Sequence, residues 1–89
     1  MNSYLITYDL IGPNRDYEKI SKKIETYPNH SHILESVWIV KSDTSSKEIR
    51  DNLKTALDDN DKLFVSKLTG ECAWRKIDEP ASQWILDHA

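Results

Sequence analysis

The chain has 89 residues, 38% hydrophobic and 30% charged, which describes one small domain and excludes a second catalytic unit, because chains this short rarely hold two independent cores. Lys and Arg total 12 against 15 Asp and Glu, a net charge of −3, so the overall field does not draw the chain to nucleic acid and any basic site is local. Its single cysteine, Cys72, excludes an intrachain disulfide and a Cys-rich zinc framework, and points to a cytoplasmic protein.

No run approaches the roughly 18 apolar residues that cross a bilayer, so no membrane association is expected. The N-terminus carries no basic leader ahead of its apolar run. A domain of this size buries only roughly 60–65% of its unfolded surface, and a second copy covering an apolar face would add to that. A homodimer is therefore expected.

In chain order, Tyr4 to Tyr8 is aromatic, aliphatic and β-branched without a charge, and predicts a strand buried on both faces and central in a sheet, ending at Asp9-Leu10. Ile11-Gly12-Pro13-Asn14 breaks it. Asn14 is placed to cap a helix with Tyr17, Ile20, Ile24 and Tyr27 on one face, ended by Pro28-Asn29. Leu34 to Lys41 has strand composition, with a shorter strand at His30 to Leu34 leading into it. Ser45 and Glu48 have the spacing of a capping box, opening a helix with Ile49, Leu53, Ala56 and Leu57 inward. The acidic run Asp58 to Asp61 closes that helix, Lys62 to Leu68 is the next strand, and a short strand at Ala73 to Ile77 follows the Thr69-Gly70-Glu71 turn. Asp78, with Pro80 in the first turn behind it, opens a terminal helix that docks through Trp84 and Ile85. This order predicts an α+β or split βαβ sandwich with the two main helices on one face of the sheet.

Asp9 is the most suggestive polar position, since an acid where a buried strand meets a Gly-Pro loop sits at the sheet rim, where carboxylates hold Mg²⁺ with water completing the shell. Two readings are open: a metal ligand, or a turn cap accepting backbone N–H groups from the Ile11-Gly12 loop. In a two-fold dimer with the first strands near the axis, a second Asp9 would complete a metal pair. Arg15, Lys19, Lys22 and Lys23 fall on one helical face, flanked by Asp16, Glu18 and Glu25, so the stripe reads as a solvated face before it reads as a phosphate contact. His30 and His32 share one side of an extended segment and make a partial metal site without a clear third ligand. The Asp58 to Asp61 cluster lacks the Gly and distant Glu of an EF-hand. Trp38 and Trp74 read as core or dimer packing, with base stacking as the alternative. With Gly12 and Gly70 as the only glycines, there is no phosphate-cradling loop and no nucleophile elbow, which excludes the common ATPase, kinase and hydrolase designs.

Three segments, Tyr4 to Leu10, Leu34 to Val40 and Asn60 to Val65, together with Ile49-Arg50-Asp51 and Ala73-Trp74, resemble a group of short bacterial and phage proteins called SinR-like. More distantly, the Tyr-Asp end of the first strand, the Ser36-Val37-Trp38 motif and the acidic turn before Leu63 are similar to the Cas-two family of CRISPR adaptation proteins, with VapD toxins related to both. The resemblance implies a ferredoxin-like βαββαβ sandwich with an extra short C-terminal strand and helix, paired as a two-fold dimer. It implies Asp9 as the Mg²⁺ ligand of a nuclease, Ser36 and Trp38 as the second-strand motif, and Arg15 as a looser match to a basic loop. In this sequence that basic loop is reduced to Arg15, followed at once by Asp16, and the motif's Phe is Trp38.

Two functions of different class follow. In the first, the chain is a Mg²⁺-dependent phosphodiesterase acting on RNA or DNA at the dimer axis, with Asp9 as ligand, Arg15 on phosphate, Trp38 as a stacking surface and Ser36 hydrogen bonding locally. In the second, it is a noncatalytic dimeric adaptor or inhibitor that binds a protein partner, in phage defence or a toxin–antitoxin pair.

Overall fold

A computed structural model describes residues 1–89. The elements in chain order are β1 (Asn2–Asp9), α1 (Tyr17–Ile24), β2 (Asn29–Leu34), β3 (Val37–Ser42), α2 (Ser46–Leu53) with a 3-10 turn at Lys54–Ala56, β4 (Lys62–Lys67) and α3 (Glu79–His88). The four strands form one sheet in the order β2-β3-β1-β4, with antiparallel pairing throughout. Strand β1 is central, as its charge-free sequence predicts, and the βαββαβ order with this topology is the ferredoxin-like arrangement.

The pleat separates two faces. Tyr4, Ile6 and Tyr8 of β1 meet Trp38 and Val40 of β3, Ile20 and Ile24 of α1, and Ile49, Leu53 and Ala56 of α2 and its 3-10 turn in one buried cluster. Ile6, Ile20, Ile24, Val40, Ile49 and Leu53 are fully enclosed, so trimming any of the larger ones to Ala costs about 2–5 kcal/mol. The opposite face carries Leu5, Thr7 and Asp9, beside Val37 and Ile39 of β3 and Lys62, Phe64 and Ser66 of β4 by register. Only part of this face is covered, by α3 and the segment leading into it; Phe64 is 61% and Leu34 55% exposed.

Several local expectations are met. Ser45 caps α2, its hydroxyl accepting the Glu48 N–H at 3.1 Å. Asp78 caps α3, accepting the Ala81 N–H at 3.0 Å, with Pro80 in the first turn. Strand β2 begins at Asn29, next to the expected His30.

Other expectations need correction. The cap of α1 is Asp16, not Asn14: the Asp16 carboxylate accepts the Lys19 N–H at 3.0 Å, while Asn14 is engaged by Asp58. Leu34 to Lys41 is not one strand, because the chain reverses at Glu35-Ser36 between β2 and β3. The extra strand at Ala73 to Ile77 does not form. There the Trp74 indole donates to Ser82 Oγ (3.1 Å) and Ser82 Oγ to the Ile77 carbonyl (3.0 Å). Lys76 takes a left-handed φ of 60°, which interrupts any extended run. The segment lies across the sheet face as a strap instead of extending its edge. Helix α3 docks through Ala81 and Ile85, both 5% exposed, whereas Trp84 is half-buried and packs against His88, ring centroids 4.7 Å apart.

Candidate functional site at the end of the first strand

Asp9 is the last residue of β1, exposed, on the face away from the helices, and paired in register with Lys62. A shallow depression of about 200 Å³ lined by Thr7, Asp9, Lys62 and Phe64 opens beside it. The turn-cap reading of Asp9 fails because the loop N–H groups have another acceptor. Ile11 N–H and Gly12 N–H both donate to Asp61 Oδ1, at 2.8 and 2.9 Å. Asp61 Oδ2 accepts the Asp58 N–H at 2.8 Å. Asp58 in turn accepts from the Asn14 N–H (2.8 Å) and Asn14 Nδ2 (2.9 Å). The Asp9 carboxylate makes no hydrogen bond or ion pair within the chain.

The acidic turn that closes α2 is therefore a clamp on the loop after β1. Backbone donors from Gly12, Asp58 and Ile11 hold the Asp61 carboxyl below its ordinary value, since each stabilises the ionised form. Gly12 sits at φ 109°, a conformation that favours glycine. The Arg15 side chain lies against it, and Arg15 Nε donates to the Ile11 carbonyl at 2.9 Å. Arg15 itself adopts φ 48°, so the clamped loop determines where its guanidinium projects. Both loops are visible in the sequence as polar breaks, but nothing in the spacing says that residues 49 apart meet.

Ser36 lies in the β2–β3 turn and its carbonyl accepts the Tyr8 N–H at 3.3 Å, which brings it to the same end of the sheet as Asp9. Trp38 goes to the other face. It is 4% exposed, its Nε1 donates to Tyr8 Oη at 3.1 Å, and His32 stacks on it with centroids 4.1 Å apart and planes 6° from parallel. The indole is a packing element of the helix side and offers no open face to a base.

Among the other charged groups, ion pairs join Lys22 to Glu18 and Lys47, Arg50 and Lys54 to Asp51. Lys22 bonds Glu18 at 2.8 Å, which raises its pKa and removes one cation from the α1 stripe. Asp51 is held down to about 2 by hydrogen bonds from Lys47 and Arg50. His32 Nε2 meets the Glu35 carbonyl at 3.0 Å and His30 Nδ1 the Tyr27 carbonyl at 2.8 Å. No three His, Cys, Asp or Glu side chains converge to hold a metal within one chain. No helix is long and apolar enough to cross a membrane.

Fold and site together define a small ferredoxin-like α+β domain with one free carboxylate at the open end of its central strand. The sequence model of the family CRISPR associated protein Cas2 matches residues 1–76. The chain belongs to that CRISPR-associated family, and α3 lies beyond the matched region. No solved structure matches the chain.

Proposed function

We propose that the chain is a nucleic-acid-related homodimer that hydrolyses phosphodiester bonds in RNA or DNA with Mg²⁺ held between the two Asp9 carboxylates. The observation that carries this reading is the free Asp9 carboxylate: the structural task open to it is done by Asp61, 2.9 Å from the Gly12 nitrogen. One carboxylate per chain suits Mg²⁺, which keeps several waters and takes one or two carboxylates. A second copy docked on the open face supplies the other. Bound there, Mg²⁺ would acidify water and offset charge developing on a phosphoryl group. Asp9 is the ligand, Arg15 contacts phosphate from its clamped loop, and Ser36 hydrogen bonds at the same sheet end. Trp38 acts indirectly, holding Tyr8 from the opposite face.

The test is calorimetric titration of Mg²⁺ into the wild-type protein and Asp9→Ala, with single-stranded RNA and duplex DNA cleavage assayed on the same samples. Binding and cleavage that disappear together in the variant support the reading. A folded wild-type dimer that neither binds Mg²⁺ nor cleaves overturns it.

A second reading, a noncatalytic adaptor or inhibitor bound to a protein partner, is favoured by the modest α1 stripe, in which Lys22 is paired to Glu18, and by exposed Leu34 and Phe64. Salt separates the two. Phosphate contacts weaken steeply with ionic strength, and an apolar interface does not.

A further inference from the structure

The open sheet face divides into rows by register. Leu34, Val37, Thr7 and Phe64 form one row across all four strands, and Ile39, Leu5 and Ser66 the next. The first row is covered only in part: Leu34 and Val37 border the space under the strap, while Thr7 and Phe64 lie outside it. The second is overlaid by the strap and α3, with an apolar space of about 300 Å³ between them, lined by Leu5, Val37, Ile39, Trp74, Ile77 and Ile85 among others. Helix α3 is thus seated over the sheet without filling the space beneath it. Its anchors are Ala81 and Ile85, the bond from Ser3 Oγ to the His88 carbonyl, and the Trp74 to Ser82 bond.

The exposed part of this row is too small for a stable pairing. Its four side chains expose on the order of 300 Å² in total, against roughly 800 Å² per partner in a standard interface. The missing area lies in the adjoining row, under α3. A helix of 10 residues is marginal without tertiary contacts, and α3 buries only Ala81 and Ile85, so few apolar contacts hold it in place.

We infer that α3 is an intramolecular cover, competing with a second copy of the chain for the Leu5 and Ile39 row, and that it lifts when two copies pair face to face. The inference rests on the dimer reading above. Since both copies must open, the apparent dissociation constant is weakened by the square of the open fraction. An open fraction of about one in ten would make that on the order of 100-fold. Dimerisation, and with it the meeting of two Asp9 carboxylates, is thereby moved to higher protein concentration.

The test compares wild type, Ile85→Asp, Ser3→Ala and Phe64→Glu by sedimentation equilibrium, with hydrogen exchange of the wild type at low and high concentration. Ile85→Asp unseats α3 and should tighten the dimer at least tenfold, Ser3→Ala should tighten it less, and Phe64→Glu should abolish it. In the wild type, amides of residues 79–88 should lose protection as the dimer forms while those of β4 gain it. A dimer whose α3 amides keep their protection, with Ile85→Asp no tighter, overturns this inference and leaves the dimer reading standing. Monomers throughout, including Ile85→Asp at high concentration, overturn both. The exchange measurement needs no variant, so a poorly folded Ile85→Asp does not remove the test.

Discussion

Asp61 grips Gly12 across the molecule, accepting its N–H at 2.9 Å from a position 49 residues away in sequence. The same carboxylate takes the N–H groups of Ile11 and Asp58, so one side chain joins the turn before β4 to the loop after β1. This clamp leaves Asp9 free and aims Arg15, and both consequences can be measured.

Asp61→Asn should loosen the loop, because an amide nitrogen cannot accept and would face one of the N–H donors. A Tm lower by roughly 5 °C is expected. The pH dependence carries a second signature. The folded-state carboxyl lies below its ordinary 3.8, so its stabilisation is complete above that value and is lost as pH falls through the lowered folded value. Wild type should therefore lose stability faster than the variant as pH drops from about 4 towards 2, as followed by thermal unfolding in a pH series.

Asp9→Ala should behave oppositely. With no intrachain partner to lose, its Tm should stay within about 2 °C of wild type, while Mg²⁺ binding and cleavage disappear. Addition of EDTA to the wild type should reproduce the loss of cleavage and leave circular dichroism unchanged.

Trp38→Phe removes the hydrogen bond to Tyr8 Oη and the broad surface on which His32 stacks. A loss of about 1–2 kcal/mol is expected from urea unfolding, and Trp38→Ala should cost about 3–5 kcal/mol. If Trp38 were a base platform, the Phe variant would lose nucleic-acid affinity with stability intact.

Ser45→Ala removes the cap of α2, whose hydroxyl accepts the Glu48 N–H. The expected cost is about 1 kcal/mol, read as a lower urea midpoint at constant slope.

What was legible in the sequence follows from short-range physics. The uncharged run Tyr4 to Tyr8, the apolar spacing of Ile20 with Ile24 and of Ile49 with Leu53, and the Ser45 and Asp78 caps each depend on neighbours within a turn or a pleat, and each appears where the residues place it. The two-helix face follows from those elements, whereas the strand order depends on which strands pair. Tertiary structure decided everything that depends on which polar groups compete for one another. Asp16 caps α1 while Asp58 captures Asn14, and Asp61 takes the loop that Asp9 adjoins in sequence. Trp38 turns inward because its pleat position pairs with Ile6 on the helix side. The strand-like run Ala73 to Ile77 becomes a strap because Trp74 finds Ser82 and apolar cover on the sheet face. Hydrophobic periodicity is local and survives in the sequence, whereas hydrogen-bond partners are chosen only after the chain has brought distant loops together.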